Sequence, residues 1–343
     1  MTAIPGLRKE QVSRLRRTSG LLVLGLIAAV VGGLLAGAVP IDLDDLRHMI
    51  GIRTGLIEGP DRLSDSVLWA IRLPRVLTGL VAGAGLGVAG VALQGTFRNP
   101  LADPHLVGIA PAAGLGAVAG IALTPIGGSP FLMMAGAAVG GVLLGMLMMR
   151  IAMNVLDRGQ LVLVGIALGF AFLAVLGAVV LAWDSPRVPT FTFWVFGGLS
   201  GATWSTLAWG TPLVVMGSAV VVGLGRSLDV LALGEEEANH LGVDVSRLKT
   251  GALVAVGLVV GGAVGMAGVV GFVGLVVPLV LRSRVGPSHR VLAALAALGG
   301  AIALVALDTL ARTVAAPIEI PVGLMTAIGG APVLVWFLLR RPR

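Results

Sequence analysis

Four groups of residues in this chain have types and spacings that could carry chemistry. Arg72 and Arg75 stand three apart in Arg-Leu-Pro-Arg, and Arg312 follows Asp308 by four positions. Guanidinium pairs of this kind hold carboxylates through planar, two-pronged hydrogen bonds. The Asp308–Arg312 spacing also suits a local salt bridge on one helix face. Glu235, Glu236 and Glu237 lie between Gly234 and Gly242, a short acidic helix fit either for solvent or for docking a partner. Arg98-Asn-Pro-Leu-Ala-Asp-Pro104 carries two prolines and reads as a stiff turn. His48, His105, His240 and His289 are scattered and make no metal constellation. Asp308 and Glu319 are the only acids in or beside a late helix, too few for a proton relay.

The missing residues exclude other chemistry. A phosphate-cradling Walker A loop needs Gly-Lys followed by Ser or Thr. The only lysines are Lys9, after Arg8, and Lys249, after Leu248, so the chain has no such loop and is expected to hydrolyse no ATP. Cysteine is absent, which removes disulfides, iron–sulfur clusters and thiolate zinc sites.

The elements that position these residues are set by composition. Of 343 residues 57% are hydrophobic and 12% charged, and mean hydropathy is +1.01. Such a chain has too little polar surface to cover itself in water, which excludes a soluble enzyme, a disordered chain and a secreted disulfide scaffold. Its net charge of +7 is carried by basic residues that flank apolar runs, a membrane pattern rather than a nucleic-acid one.

A bilayer-spanning helix needs about 20 mostly apolar residues. The charge-free runs, divided at turn signals such as Thr124-Pro-Ile-Gly-Gly-Ser-Pro130, predict an all-α polytopic membrane protein, a single transmembrane domain over 1–343. Its ten helices are expected at 20–39, 74–95, 105–123, 131–150, 160–183, 206–225, 248–267, 271–282, 291–312 and 321–339. Arg247 and Lys249 before the run 250–281, and Arg282, Arg284 and Arg290 after it, place both its ends inside, so it reads as a hairpin turning near Gly268–Gly271. Phe191, Phe193, Trp194, Phe196 and Trp204 suggest an interfacial helix ahead of the sixth span. The first helix reads as a retained span, because its apolar stretch exceeds the roughly 7–15 residues of a signal peptide. Both termini fall in the cytoplasm. Seven basic residues are left outside: Arg47, Arg53, Arg62, Arg72, Arg75, Arg187 and Arg312.

Residues 79–91, GLVAGAGLGVAGV, and 257–269, GLVVGGAVGMAGV, agree at eight of 13 positions. The two copies run in opposite directions through the membrane, so the halves read as a five-plus-five inverted repeat, a transporter signature. Gly79, Gly83, Gly87 and Gly257, Gly261, Gly265 form small-residue faces for close helix packing.

At these motifs the chain resembles a known family, the ten-helix permease subunits of type II ABC importers for iron chelates and vitamin B12, the FecCD type. The residues that carry the resemblance are Arg72-Leu-Pro-Arg75, Gln94 with Asn99-Pro-Leu-Ala102, Leu231-Ala-Leu-Gly-Glu235 through Leu241-Gly242, and Pro321-Val-Gly-Leu-Met-Thr-Ala-Ile-Gly-Gly-Ala-Pro332. The resemblance implies a homodimer with a central pathway, two cytoplasmic ATPase subunits that hold the ATP-Mg, and an extracytoplasmic substrate-binding protein. It implies that Arg72, Arg75 and Arg312 meet acidic residues of that binding protein. Asn99 and Leu101 fall at the inner gate, and Gly234, Glu235, Glu236, Ala238, Leu241 and Gly242 in the coupling element for the ATPase. A second gate segment falls near Asp157–Gln160, where Asn154-Val-Leu-Asp-Arg-Gly-Gln160 lacks the family's small hydroxyl residues.

The resulting expectation is a multi-pass permease of the inner (cytoplasmic) membrane, in contact with lipid, binding no cofactor or metal itself and no nucleic acid. It imports a ferric siderophore or haem, with a corrinoid as the alternative. Tyrosine is absent and no span offers a persistent axial haem ligand, which fits passage without ligation. A secondary transporter or channel working without an ATPase would need intramembrane charges, and helices one to five lack them across their centres.

Overall fold

The computed structural model describes residues 5–339 except 58, 59, 61, 125–128, 155–157 and 183–190. Fourteen helices and no strand occur among the described residues. They are α1 (Pro5–Leu35), α2 (Leu43–Thr54), α3 (Leu63–Val67), α4 (Leu73–Thr96), α5 (Ile109–Ala122), α6 (Pro130–Asn154), α7 (Arg158–Ala182), α8 (Phe191–Phe196), α9 (Trp204–Leu231), α10 (Glu235–His240), α11 (Val245–Ala267), α12 (Val273–Val285), α13 (His289–Thr313) and α14 (Val322–Leu339). Seven stretches are long and apolar enough to cross a membrane, and Ile109–Ala122 and Val322–Phe337 are shorter apolar helices.

Every segment expected to span is helical over most of its length, with three differences. The chain enters α1 at Pro5, fifteen residues before the apolar part that begins at Gly20. A surface pair, α2 and α3, follows α1 and was not expected. One turn of π-helix, Leu68–Arg72, joins α3 to α4, so the helical rod runs from Leu63 to Thr96 and passes through the arginine motif. Such widened turns cluster at functional sites. The Thr124–Pro130 turn falls largely outside the described residues.

α4 and α11 form the centre and are the most enclosed spans. Their glycines explain how. A Cβ on Gly83 would run into the Gly300 carbonyl, and one on Gly87 into the Ala296 carbonyl, both on α13. Gly79 packs on Val305 of α13 and on Leu199. Likewise Gly257 and Gly261 lie against the backbone of Val142 and Ala138 on α6, and Gly265 against Met134. Backbones this close gain dispersion contacts that larger residues would forbid. The six predicted packing glycines are thus used inside the chain, between α4 and α13 and between α11 and α6, and do not supply a face for a second copy.

α8 corrects another expectation. Trp194 is fully buried, edge-to-face with Phe193 at 5.3 Å, and the Gly198 N–H donates to the Ala267 carbonyl at 2.8 Å. Trp194 is therefore tucked against the α11–α12 turn as a core residue. Phe196 and Trp204 are exposed, and Trp204 stacks on Trp69 at 4.9 Å and donates its indole N–H to the Trp69 carbonyl at 3.1 Å.

α12 has 13 residues, about 20 Å at 1.5 Å per residue. It starts part-way through the bundle, where Gly274 meets Gly90 of α4. A left-handed residue precedes it, Phe272 at φ 67°, as Gly108 at φ 82° precedes α5.

Candidate functional site

The functional side chains gather at the two ends of the bundle. At one end, Arg72 donates from Nη1 to the Leu34 and Leu35 carbonyls, both at 2.7 Å, and from Nη2 to the Val39 carbonyl. Arg312 donates to the Gly33 carbonyl. The Gly33, Leu34 and Leu35 carbonyls end α1, where a helix leaves acceptors unpaired and carries partial negative charge, and Val39 lies in the chain just beyond. Two guanidiniums thus cap one helix end, with Gly37 between them: a Cβ there would sit 2.8 Å from Arg72 Nη2 and 3.3 Å from Arg312 Nη1.

Arg75, one turn along α4, reaches across to α13. It donates from Nε to Asp308 Oδ2 at 2.9 Å and from Nη2 to Oδ1 at 2.9 Å, a two-pronged pair. Its Nη1 donates to Glu319 at 3.0 Å. Arg312 Nε lies 3.7 Å from Asp308 Oδ2, the i,i+4 pair anticipated from spacing. Arg72, Arg75 and Arg312 are only 3%, 7% and 8% exposed, so all three face inward with internal partners. Contact with a binding protein would have to exchange one of these bonds. Glu319, whose side chain is 48% exposed, is the accessible member of the cluster. The cluster floors a cleft of about 190 Å³ that α8 and the start of α14 also line.

α2 and α3 cover this end through a polar clasp. The Asp65 carboxylate is fully buried, accepts the Arg62 backbone N–H at 2.7 Å and pairs with His48 Nδ1 at 2.9 Å. Ser64 donates to Asp45 at 2.9 Å, and Asp45 also accepts from the Asp42 backbone N–H in a reciprocal cap. The Asp42 N–H, first, and the Ser64 hydroxyl hold the Asp45 carboxyl below its ordinary pKa.

At the other end, the Asn99–Leu101 turn is built by side chains. Asn99 Oδ1 accepts the Leu101 N–H at 2.9 Å, and Asp103 Oδ1 accepts those of His105 at 2.8 Å and Leu106 at 3.3 Å. Both expected gate residues are half-buried. Buried Gln94 ties this turn to α12, donating to the Leu275 carbonyl at 3.3 Å and accepting from Arg282 Nη2 at 3.3 Å. The second gate segment falls on 155–157 and on neighbouring side chains, outside the described residues.

The predicted acidic helix is α10, and its bounds match the bracketing glycines. Gly234 at φ 151° opens it and Gly242 at φ 82° follows it, conformations that favour glycine. Ala238 is buried with Leu228, Leu231, Val245 and Leu248, which seats α10 on α9 and α11. Glu235 pairs with Lys249 at 2.8 Å. Glu236 and Glu237 stay exposed, flanked by exposed Leu233 and Leu241. An acidic ridge between two leucines is complementary in charge and polarity to a basic, apolar groove.

Sequence reasoning did not join Arg75 to Glu319, because 244 residues separate them. It set the histidines aside as scattered, whereas His48 and His289 each hold a carboxylate. Among the described residues no three His, Cys, Asp or Glu side chains converge to hold a metal.

A bundle of apolar helices with charges confined mainly to its ends, and a short acidic helix held at one of them, defines a multi-pass membrane protein of the permease class. The FecCD transport family matches residues 23–340, and the chain belongs to it. The chain is 42% identical over 279 residues to the hemin transport system permease protein HmuU of Yersinia pestis, covering 79% of this chain and 82% of that one. It is 40% identical over 290 residues to the cobalamin import system permease protein BtuC of Halobacterium salinarum, covering 82% and 76%. The vitamin B12 import system permease protein BtuC of Vibrio cholerae is 37% identical over 287 residues, covering 81% and 84%. A solved metal-chelate type ABC transporter in an inward-facing conformation superposes with a TM-score of 0.78 at 28% identity, covering 95% of this chain and 99% of that one. ABC permeases of this family are transport subunits, with ATP hydrolysis in a separate chain.

Proposed function

We propose that this chain is the membrane-spanning subunit of an ATP-driven importer of iron chelates, a ferric siderophore or haem. The observation that carries the importer reading is α10, held by Glu235–Lys249 and presenting Glu236 and Glu237 between exposed leucines. The kinship with a hemin permease at 42% identity supports the substrate class. Cobalamin is the second reading, supported by relatives named as cobalamin and vitamin B12 permeases.

In this reading ten helices cross the inner membrane, both termini lie in the cytoplasm, and two copies enclose a pathway between them. The inverted repeat is supported by packing: the second helix of each half, α4 or α11, lies on the fourth of the other, α13 or α6. The left-handed entries at Gly108 and Phe272 also correspond. ATP-driven closure of two ATPase subunits moves α10, and the Asn99–Leu101 turn gates the inner mouth by alternating access. At the outer end a carboxylate of the binding protein competes with half-exposed Glu319 for Arg75, while Arg72 and Arg312 hold the rim through α1. A secondary transporter would need ion-coupling charges on its pathway.

The test is uptake into proteoliposomes holding the chain with its ATPase partner and a binding protein. Hemin, a ferric siderophore and cobalamin are offered in turn. Uptake is expected only with ATP, and the permease alone is expected to hydrolyse none. Uptake driven by an ion gradient without the ATPase would refute the importer reading, and uptake of cobalamin alone would establish the second reading.

A further inference from the structure

α9 and α13 meet at the α10 end through a contact that none of the roles above uses. Asp229 lies in the last turn of α9, beside Leu228 and Leu231, which are fully buried in the cluster that seats α10. Its carboxylate reaches the start of α13. Oδ1 accepts the His289 backbone N–H at 2.6 Å and pairs with His289 Nδ1 at 2.7 Å, and Oδ2 accepts the Ser288 hydroxyl at 3.4 Å.

A helix start exposes unpaired N–H groups and partial positive charge, which a side-chain oxygen usually satisfies from the preceding residue. Ser288, the residue in that position, makes no such bond. The cap is supplied instead by another helix. The imidazole is 3% exposed, and its Nε2 points at the end of α4, where a Cβ on Gly95 would come within 2.8 Å of it. The carboxylate therefore joins α9, which carries α10, to α13, and the imidazole it holds packs on α4 next to Gln94.

α13 makes this contact consequential. It is a 25-residue helix locked along α4 by the Gly83–Gly300 and Gly87–Ala296 approaches, and its far end bears Asp308, which holds Arg75. A stiff rod held at both ends carries a displacement from one to the other, as packed elements with few alternative arrangements do.

We infer that Asp229 and His289 are positioning residues, the joint through which movement of α10 reaches α13 and the outer arginine cluster. The inference rests on the importer reading, in which α10 is moved by an ATPase.

The test uses the assembled complex of permease, ATPase partner and binding protein. The chain has no cysteine, so Val314→Cys, at an exposed site just past α13, takes a single spin label per copy. Trapping the complex with ATP and vanadate should shift the label's spectrum in the Val314→Cys background. Adding Asp229→Asn keeps the shape and removes the charge. The amide oxygen can still accept the His289 backbone N–H, but the imidazole loses its charged partner. The equilibrium between shifted and unshifted label should therefore move towards unshifted by roughly fivefold, the factor for about 1 kcal/mol lost from a charge-assisted bond. Assembly and vanadate-sensitive ATP hydrolysis should persist, and Asp229→Glu should restore the shift. If Asp229→Asn assembles poorly, His289→Gln, which leaves the backbone cap, should show the same loss. A full shift in both variants would overturn the joint and leave the importer reading standing. No association with an ATPase in the unsubstituted chain would overturn both.

Discussion

Replacing Asp308 tests whether the arginine cluster is the main electrostatic clasp of the fold. Asp308 and Arg75 side chains are 5% and 8% exposed and share a two-pronged contact, with Arg312 3.7 Å away. Removing one partner of a buried pair costs about 3–5 kcal/mol, mostly because the other charge is left unpaired. Asp308→Ala leaves Arg75 with Glu319 alone, whose side chain is half in solvent, so about 3 kcal/mol is the expected loss. Glu319→Ala leaves the Asp308 pair intact and should cost about 1 kcal/mol or less, the range of a half-exposed ion pair. Unfolding in mixed micelles gives both values, and the Arg75→Ala/Asp308→Ala double-mutant cycle gives their coupling. The reasoning fails if Glu319→Ala costs as much as Asp308→Ala, or if the Arg75–Asp308 coupling is below about 0.5 kcal/mol.

Gly83→Ala should destabilise the same unfolding transition by about 1–3 kcal/mol, because its Cβ meets the Gly300 backbone, which cannot give way. Gly223→Ala on α9, with nothing within 4 Å, should be neutral or better. Glu235→Arg breaks the Lys249 pair and reverses charge on α10; ATP-dependent uptake should fall while insertion, followed by membrane fractionation, persists. Asp45 titrates below its ordinary pKa in the fold, so its contribution is present above about pH 4 and lost as the pH falls through the lowered value. Amide exchange in the first turn of α2 should speed up over that fall, and Asp45→Asn should remove the pH dependence.

The sequence by itself determined the class, the helical segments and the motif positions. Hydrophobic runs and turn signals are local, and the bilayer's thickness fixes how long a run must be. The glycine faces on α4 and α11 were legible for the same reason, since small residues at every fourth position make a stripe whatever they pack on. α10 was legible from its two glycines and three glutamates.

What the stripes pack on was decided only by the tertiary structure, which placed α13 on one and α6 on the other. The same holds for the arginines. Local spacing gave Asp308–Arg312, which is the longer contact at 3.7 Å, whereas the 2.9 Å bonds run from Arg75 to a residue 233 positions away. Among the described residues Arg72 pairs with no acid but with the carbonyls that end α1, and backbone acceptors leave no mark in a sequence. α8 shows the same limit, because five aromatics within 14 residues look alike at an interface and in a core. The burial of Trp194 was settled by where the α11–α12 turn comes to rest. Periodicity along one chain records which face of a helix is apolar; which partner meets that face depends on how all the helices fit together.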